Sequence, residues 1–144
     1  MEIREYDKKD KAKLMEMVKE ILGGIFNGNP AKFKVLQEFN SQKDYLSFLV
    51  TIIDNKIVGC MGLKKVNGEV ARLKRMYVRE NYQRRGIAQK MLNKLTEQAK
   101  QKGYKKIVLS TYPIMENAQS FYKRNGFFET NGDDPEQIHV TKYL

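Results

Sequence analysis

The stretch Val70 to Lys102 reads VARLKRMYVRENYQRRGIAQKMLNKLTEQAKQK, and the fold turns on it. From Val70 to Val78 it reads as a strand with apolar residues on both parities: Val70, Met76 and Val78 on one, Leu73 and Tyr77 on the other. Such a strand is expected to be covered on both faces. From about Gly86, the residues Ile87, Met91 and Leu95 recur at intervals of four, joined by Ala88, Leu92 and Ala99. They make one apolar stripe on an amphipathic helix. Gly103 stands where that helix needs a left-handed closing residue. Between the two lies the basic turn Gln83-Arg84-Arg85-Gly86-Ile87-Ala88.

A strand, a basic turn with a glycine and a helix in that order point to an anion. The first N–H groups of a helix lack intrahelical partners, and the helix dipole adds roughly half a positive charge there. Gly86 lets a ligand approach the backbone, and Ala88 is nearly as small. Arg84 and Arg85 add cations beside the amides, so two linked phosphates would fit. The turn taken alone reads equally well as a surface turn with two solvated arginines.

The turn resembles the Q/R-x-x-G-x-G/A pyrophosphate loop of the GNAT superfamily of N-acetyltransferases, and LKRMYV before it resembles that family's fourth strand. Downstream, Ala118-Gln119-Ser120-Phe121-Tyr122-Lys123-Arg124-Asn125-Gly126-Phe127 resembles the family's A-x-x-x-Y-x-x-x-G-F segment. One helix and one strand separate the two, as in the family. The resemblance covers about Val70 to Phe127, while the first seventy residues match in element order only.

A length of 144 residues suits one domain, residues 1–144, with one proper core. Apolar residues make up 41% and charged residues 31%, which is ordinary for a soluble globular chain. No apolar run approaches the ~20 residues that span a bilayer, and MEIREYDKKDKAK lacks the apolar region of a signal peptide. The single cysteine, Cys60, excludes an internal disulfide, and one histidine beside it argues against a zinc site, so no metal is expected. The expected location is the cytoplasm. Lys and Arg outnumber Asp and Glu by 27 to 17, a formal charge of +10. The excess is spread along the chain, as on a solvated surface, and argues against a strongly cationic acceptor.

The remaining elements follow in order. Met1 to Asp7 reads as a first strand, and Asp10 is placed to cap a helix that ends at Gly23-Gly24. After the turn Asn27-Gly28-Asn29-Pro30, a second helix carries Phe33, Leu36 and Gln37 and fades by Asn40. Tyr45–Ile53 and Ile57–Val66 are strands around Asp54-Asn55-Lys56, and Asn67-Gly68 is the strongest two-residue hairpin signal. Lys105–Thr111 is a strand, Met115–Arg124 a short helix, and Phe127-Phe128 and Ile138–Tyr143 close the chain as strands. About seven strands and four helices in mixed order predict an α/β (α+β) domain with a mostly antiparallel sheet.

Acetyl transfer to an amine needs a neutral amine, a donor for the developing oxyanion and a proton for the leaving thiolate. The resemblance implies acetyl-CoA as cosubstrate, held in a cleft between splayed fourth and fifth strands. Backbone groups of Met76, Tyr77 and Val78 would bond the pantetheine arm, with the Val78 N–H beside the thioester carbonyl. Gln83, Arg84, Arg85, Gly86, Ile87 and Ala88 would hold the pyrophosphate. Core packing is the plain alternative for Met76 and Val78, and both hold together because the backbone does the binding. Tyr122 matches the family's general acid; four residues after Ala118 and next to Phe121, it would lie on the inward helix face. Asn117 and Phe121 are further cofactor contacts, although the family's usual asparagine falls nearer Met115. The segment from about Gly23 to Asn40 would form part of the acceptor site.

Many members carry a glutamate as general base six residues before the position of Val78, and here that residue is Arg72, which is no base. Glu69 falls on the opposite side of an extended strand, and His139 is a late candidate that reads more readily as structural. Deprotonation is therefore expected through ordered water, or the acceptor arrives neutral. Arg72 is the candidate contact for an acidic acceptor, against the reading of a strand arginine facing solvent.

The leading expectation is an acetyl-CoA-dependent N-acetyltransferase acting on a primary amine of a small molecule or peptide. The alternatives are a non-catalytic acyl-CoA-binding regulatory module, supported by Arg72, and an acetyltransferase acting on aminoacyl-tRNA, compatible with the charge. No RNA-binding motif of stacking aromatics and basic residues appears, so nucleic acid is a minor expectation, and no membrane partner is expected. The C-terminal strands would offer an edge for a homodimer.

Overall fold

The computed structural model describes residues 1–25 and 44–144. Seven strands form one sheet: β1 (Glu2–Glu5), β2 (Tyr45–Ile53), β3 (Lys56–Lys65), β4 (Val70–Val78), β5 (Lys106–Thr111), β6 (Phe128–Thr130) and β7 (Ile138–Tyr143). Their spatial order is β1-β2-β3-β4-β5-β7-β6. Every pairing is antiparallel except β4 with β5. The described residues hold three α-helices: α1 (Lys11–Ile25), α2 (Ile87–Gln101) and α3 (Glu116–Arg124). The helix expected over Pro30 to Asn40, and the acceptor segment from Gly23 to Asn40 beyond residue 25, lie outside the described residues.

Each face of the sheet carries its own core. On one, α1 lays Leu14, Met17, Val18 and Leu22 against Phe48, Val50, Ile57 and Cys60. On the other, α2 packs Met91, Leu92, Leu95 and Ala99 over Leu49, Met61, Leu63, Leu73, Ile107 and Leu109, with Tyr122 and Phe127 from the α3 region. These side chains are almost fully removed from water, and each contributes on the order of 1.5–3 kcal/mol relative to exposure. Helix α2 ends as its sequence predicts. Gly103 has φ of 85°, and the N–H groups of Gly103 and Tyr104 bond the carbonyls of Lys100 and Ala99 at 3.0 Å each.

Local readings differ at four places. Helix α1 runs through Gly23-Gly24 to Ile25. Asp10 does not cap it: its carboxylate turns back to the Asp7 N–H at 2.8 Å and to Arg4 at 2.7 and 2.8 Å, while Asp7 caps the 3-10 turn Lys8–Asp10. The β2–β3 turn is a hairpin as expected: its central residues Asp54 and Asn55 have positive φ, 51° and 61°, the backbone of a primed turn. The Asn67-Gly68 loop uses the Asn67 side chain instead, which accepts the N–H groups of Glu69 and Val70 at 2.8 and 2.9 Å.

Strand β4 holds the fourth difference. Cys60 pairs with Tyr77 and Gly62 with Lys74, so β4 contains one residue more than β3 across that interval. The bulge includes Arg75, whose φ of 59° lies in the left-handed region. It reverses the parity read from sequence. Met76 and Val78 join Leu73 on the α2 face, and Tyr77 packs on the α1 face.

Candidate active site

Strands β4 and β5 share three rungs, Val70 with Lys106, Ala71 with Ile107 and Arg72 with Val108, and then part. From Lys74 to Val78 every β4 residue is half-buried, whereas β5 stays paired with β7 as far as Thr111. The gap expected from the resemblance thus opens just beyond Arg72. At its edge the bulge holds Arg75 in a conformation costing about 1–2 kcal/mol for a residue with a side chain. The Cys60 thiol donates to the Arg75 carbonyl at 3.2 Å, and the Arg75 side chain hydrogen-bonds Tyr77. Burial draws the Arg75 guanidinium below its ordinary pKa and pushes the Tyr77 hydroxyl up.

Beyond Val78 the chain makes the short 3-10 turn Glu80–Tyr82 and enters the basic loop. The Gln83 amide ties this loop back to the Val78 carbonyl at 3.1 Å, and the Arg85 guanidinium lies 5.0 Å from the Tyr82 ring centre. Arg84 takes φ of 64° and Gly86 takes 78°, a turn that aims the chain directly into α2. The first bond of that helix runs from the Lys90 N–H to the Gly86 carbonyl at 3.0 Å. The amides of Ile87, Ala88 and Gln89 therefore precede the intrahelical ladder. Among the described residues no side chain caps them and a Cβ placed on Gly86 would meet nothing within 4 Å, and no acidic residue stands in the first turn. These features form an open cradle of N–H groups flanked by exposed cations. The Ile87 side chain itself is core, 2% exposed.

Helix α3 closes the site from the α2 face. Tyr122 is buried beside Phe121 and Phe127, with ring centres 5.7 and 5.6 Å away, and its hydroxyl donates to Met76 Sδ at 3.6 Å. Burial pushes its pKa well up. Asn117 is exposed in the first turn of α3, and Arg72 is half-buried on the α1 face of β4. Glu69 sits exposed in the β3–β4 loop, and its carbonyl receives the N–H groups of Lys105 and Lys106.

Two connections were not read from the sequence. Gln89 on α2 bonds Asn125 just after α3 at 2.7 Å, and Asn125 in turn bonds the Phe121 carbonyl at 2.9 Å, which fixes the two helices beside the gap. His139 on β7 lies 2.8 Å from Ser110 of β5 through Nδ1, and 2.8 Å from the Asp134 carbonyl through Nε2. Neither partner was predictable without the β5–β7 register.

A family model described as the Acetyltransferase (GNAT) family matches residues 13–127. An uncharacterized N-acetyltransferase, YsnE of Bacillus subtilis (strain 168), is 29% identical over 97 residues, covering 62% of this chain and 64% of that protein. The chain thus matches somewhat under two thirds of that relative's length. A GNAT-family acetyltransferase of Staphylococcus aureus Mu50 superposes with a TM-score of 0.83 at 25% identity, covering 99% of this chain and 98% of its own. The PaiA N-acetyltransferase of Thermoplasma acidophilum, solved in complex with coenzyme A, gives 0.79 at 26% identity over the same shares. No helix among the described residues is long and apolar enough to cross a membrane. A parallel pair that parts beside a helix N-terminus, on a chain whose residues 13–127 match that model, places this protein in the GNAT family of acetyltransferases.

Proposed function

We propose that the protein is an acetyl-CoA-dependent N-acetyltransferase that moves an acetyl group directly to a primary amine. One observation carries this reading: the β4–β5 ladder stops at Arg72 and Val108, on the strand that feeds the uncapped N-terminus of α2 at Gly86. The gap offers a slot for an extended arm, and the cradle offers amides and cations for two linked phosphates. The empty space at Gly86 and the lack of any acidic residue in the first turn of α2 fit that group. Coenzyme A bound to the similar Thermoplasma fold supports the same assignment.

In this reading Gln83, Arg84, Arg85, Gly86, Ile87 and Ala88 hold the pyrophosphate, and the backbone of Met76, Tyr77 and Val78 lines the arm. Phe121 and Asn117 flank it from α3. When bound, acetyl-CoA supplies the acetyl group as an activated thioester. Tyr122 serves as the general acid. Like any tyrosine hydroxyl it is protonated at neutral pH, and its present acceptor is a thioether sulfur, a weak one, so redirecting the O–H to a thiolate costs little. Arg72, on the opposite sheet face, contacts the acceptor and suits one with a carboxylate near the amine.

The test is calorimetric titration with acetyl-CoA, with NADH and ATP as controls, followed by a panel of acidic and neutral amines. Binding of acetyl-CoA alone, with turnover of an amine, is the expected result. Absence of binding sinks the proposal, and binding without turnover of any amine leaves a sensing module in its place.

A further inference from the structure

The acceptor amine is an ammonium ion at neutral pH, and the strand position that holds a glutamate in many family members is Arg72 here. A base therefore has to come from elsewhere on the acceptor side. We propose that Ser110 and His139 form a proton relay that takes the acceptor's proton across the gap from β4. The inference rests on the acetyltransferase reading above.

Ser110 lies on β5 two residues beyond Val108, the last rung with β4, so it stands at the mouth of the gap. Ile107 and Leu109 point into the α2 core, so Val108 and Ser110 face the other way, the face that Arg72 shares. Tyr122 approaches from the α2 face. The acid and the relay thus flank the gap from opposite sides of the sheet.

The hydrogen bonds assign the proton positions. The Asp134 carbonyl can only accept, so His139 Nε2 carries a hydrogen and donates it at 2.8 Å. In the neutral ring, Nδ1 then has its lone pair free to accept from the Ser110 hydroxyl, also at 2.8 Å. Ser110 Oγ keeps lone pairs for an ammonium N–H. When that proton moves to Ser110 and the serine proton to Nδ1, the imidazolium still donates to both partners, so neither bond is lost. Loop backbone clamps the ring, because a side-chain carbon at Gly132 would overlap it. The ring also lines a cavity of about 250 Å³ with Glu129, Thr130 and Asp134, through which the proton reaches solvent.

Among the described residues, Thr130 is opposite His139 on β6, Arg72, Lys74 and Tyr77 share the sheet face on β4, Tyr112 follows β5, and Glu129 and Asp134 border the cavity. The proton balance closes. The ammonium gives one proton through the relay to solvent. The new C–N bond forms as C–S breaks; Tyr122 gives its proton to the thiolate and regains one from solvent, to which the second N–H proton is released.

The experiment compares ethylamine, protonated at neutral pH, with 2,2,2-trifluoroethylamine, which is largely neutral, in the wild type, Ser110→Ala and His139→Gln. Acetyl-CoA affinity and melting temperature are measured in parallel. Each variant is expected to lower kcat/KM for ethylamine by about 10²-fold, to change it less than about threefold for the fluorinated amine, and to leave acetyl-CoA affinity intact. An equal loss on both amines, as a structural role would give, overturns the relay. So does an undiminished rate on ethylamine. A wild type that binds no acetyl-CoA overturns the acetyltransferase reading and the relay with it, which keeps the two failures distinct.

Discussion

Replacing Gly86 by glutamate separates the two tasks of the basic turn, shaping the backbone and receiving the phosphates. Gly86 has φ of 78°, a conformation that costs a residue with a side chain about 1–2 kcal/mol. A Cβ there meets nothing within 4 Å, so no clash is added. The fold should therefore lose about 1 kcal/mol, which lowers the melting temperature of a chain this size by roughly 2–4 °C. The effect on ligand is much larger. A carboxylate about 4 Å from one phosphate charge repels it by about 4 kcal/mol at an effective dielectric near 20. A flexible glutamate that swings aside escapes about half of that. The affinity for acetyl-CoA should fall between roughly 30-fold and 10³-fold, corresponding to about 2 to 4 kcal/mol. Titration calorimetry reads the affinity and thermal melting reads the fold, with Gly86→Ala as a control for backbone strain alone. Affinity retained within about threefold, roughly 0.7 kcal/mol, refutes the placement of the phosphates at this cradle.

Tyr122→Phe should reduce turnover by about 10²-fold while acetyl-CoA affinity stays within twofold, because the hydroxyl's partner among the described residues is the weakly accepting Met76 sulfur; unchanged turnover removes Tyr122 from the acid role. The Arg4 guanidinium holds the Asp10 carboxyl below the usual carboxylate range. A depressed folded pKa means that the pair's contribution is complete above about pH 4, the unfolded value, and is lost as pH falls through the folded one. Asp10→Asn should therefore flatten the acid limb of urea midpoint against pH below about pH 4, and an unaltered limb excludes the ion pair as its source. Cys60 is fully buried and its thiol is pushed far up by desolvation, so iodoacetamide should label it only on unfolding; rapid labelling of native protein contradicts that packing.

Periodicity made the elements legible where it was strong and local. The bounds of β2, β4 and β7 agree with the runs Tyr45–Ile53, Val70–Val78 and Ile138–Tyr143, and α2 begins one residue after the glycine that starts its stripe. The turn before α2 was legible too, because Gly86 supplies the positive φ, 78°, from which the helix starts. Readings failed where a tertiary partner outweighed local preference. Asp10 has the chemistry of a helix cap, but a two-pronged bond to Arg4 is stronger for a charged carboxylate. Asn67-Gly68 has the composition of a tight hairpin, but the asparagine side chain closes a wider loop. Arg75 is the clearest case. Nothing in arginine favours a left-handed backbone, so the bulge leaves no local signature, and alternation read through it assigns Leu73 and Met76 to opposite faces.

That bulge also explains how one strand serves both sides of the gap. Without it, strict alternation would turn Met76 away from the face that Leu73 occupies, and Tyr122 would lose the sulfur to which it donates. With the extra residue, Met76 and Val78 return to the α2 face, where Tyr122 bonds Met76, while Arg72 remains on the α1 face, which Ser110 shares. The inserted residue also coincides with the end of the β4–β5 ladder, since β4 changes phase three residues after Arg72. One irregularity thus accompanies both the opening of the sheet and the separation of Tyr122 from Ser110 on its two faces, the arrangement that the proposed acid and relay require. Its strain of about 1–2 kcal/mol is offset by the Cys60 and Tyr77 hydrogen bonds to Arg75 and by burial of the strand on both faces. In the proposed mechanism an acid and a relay on opposite faces do not exchange protons directly, and the amine and thioester held in the gap connect them.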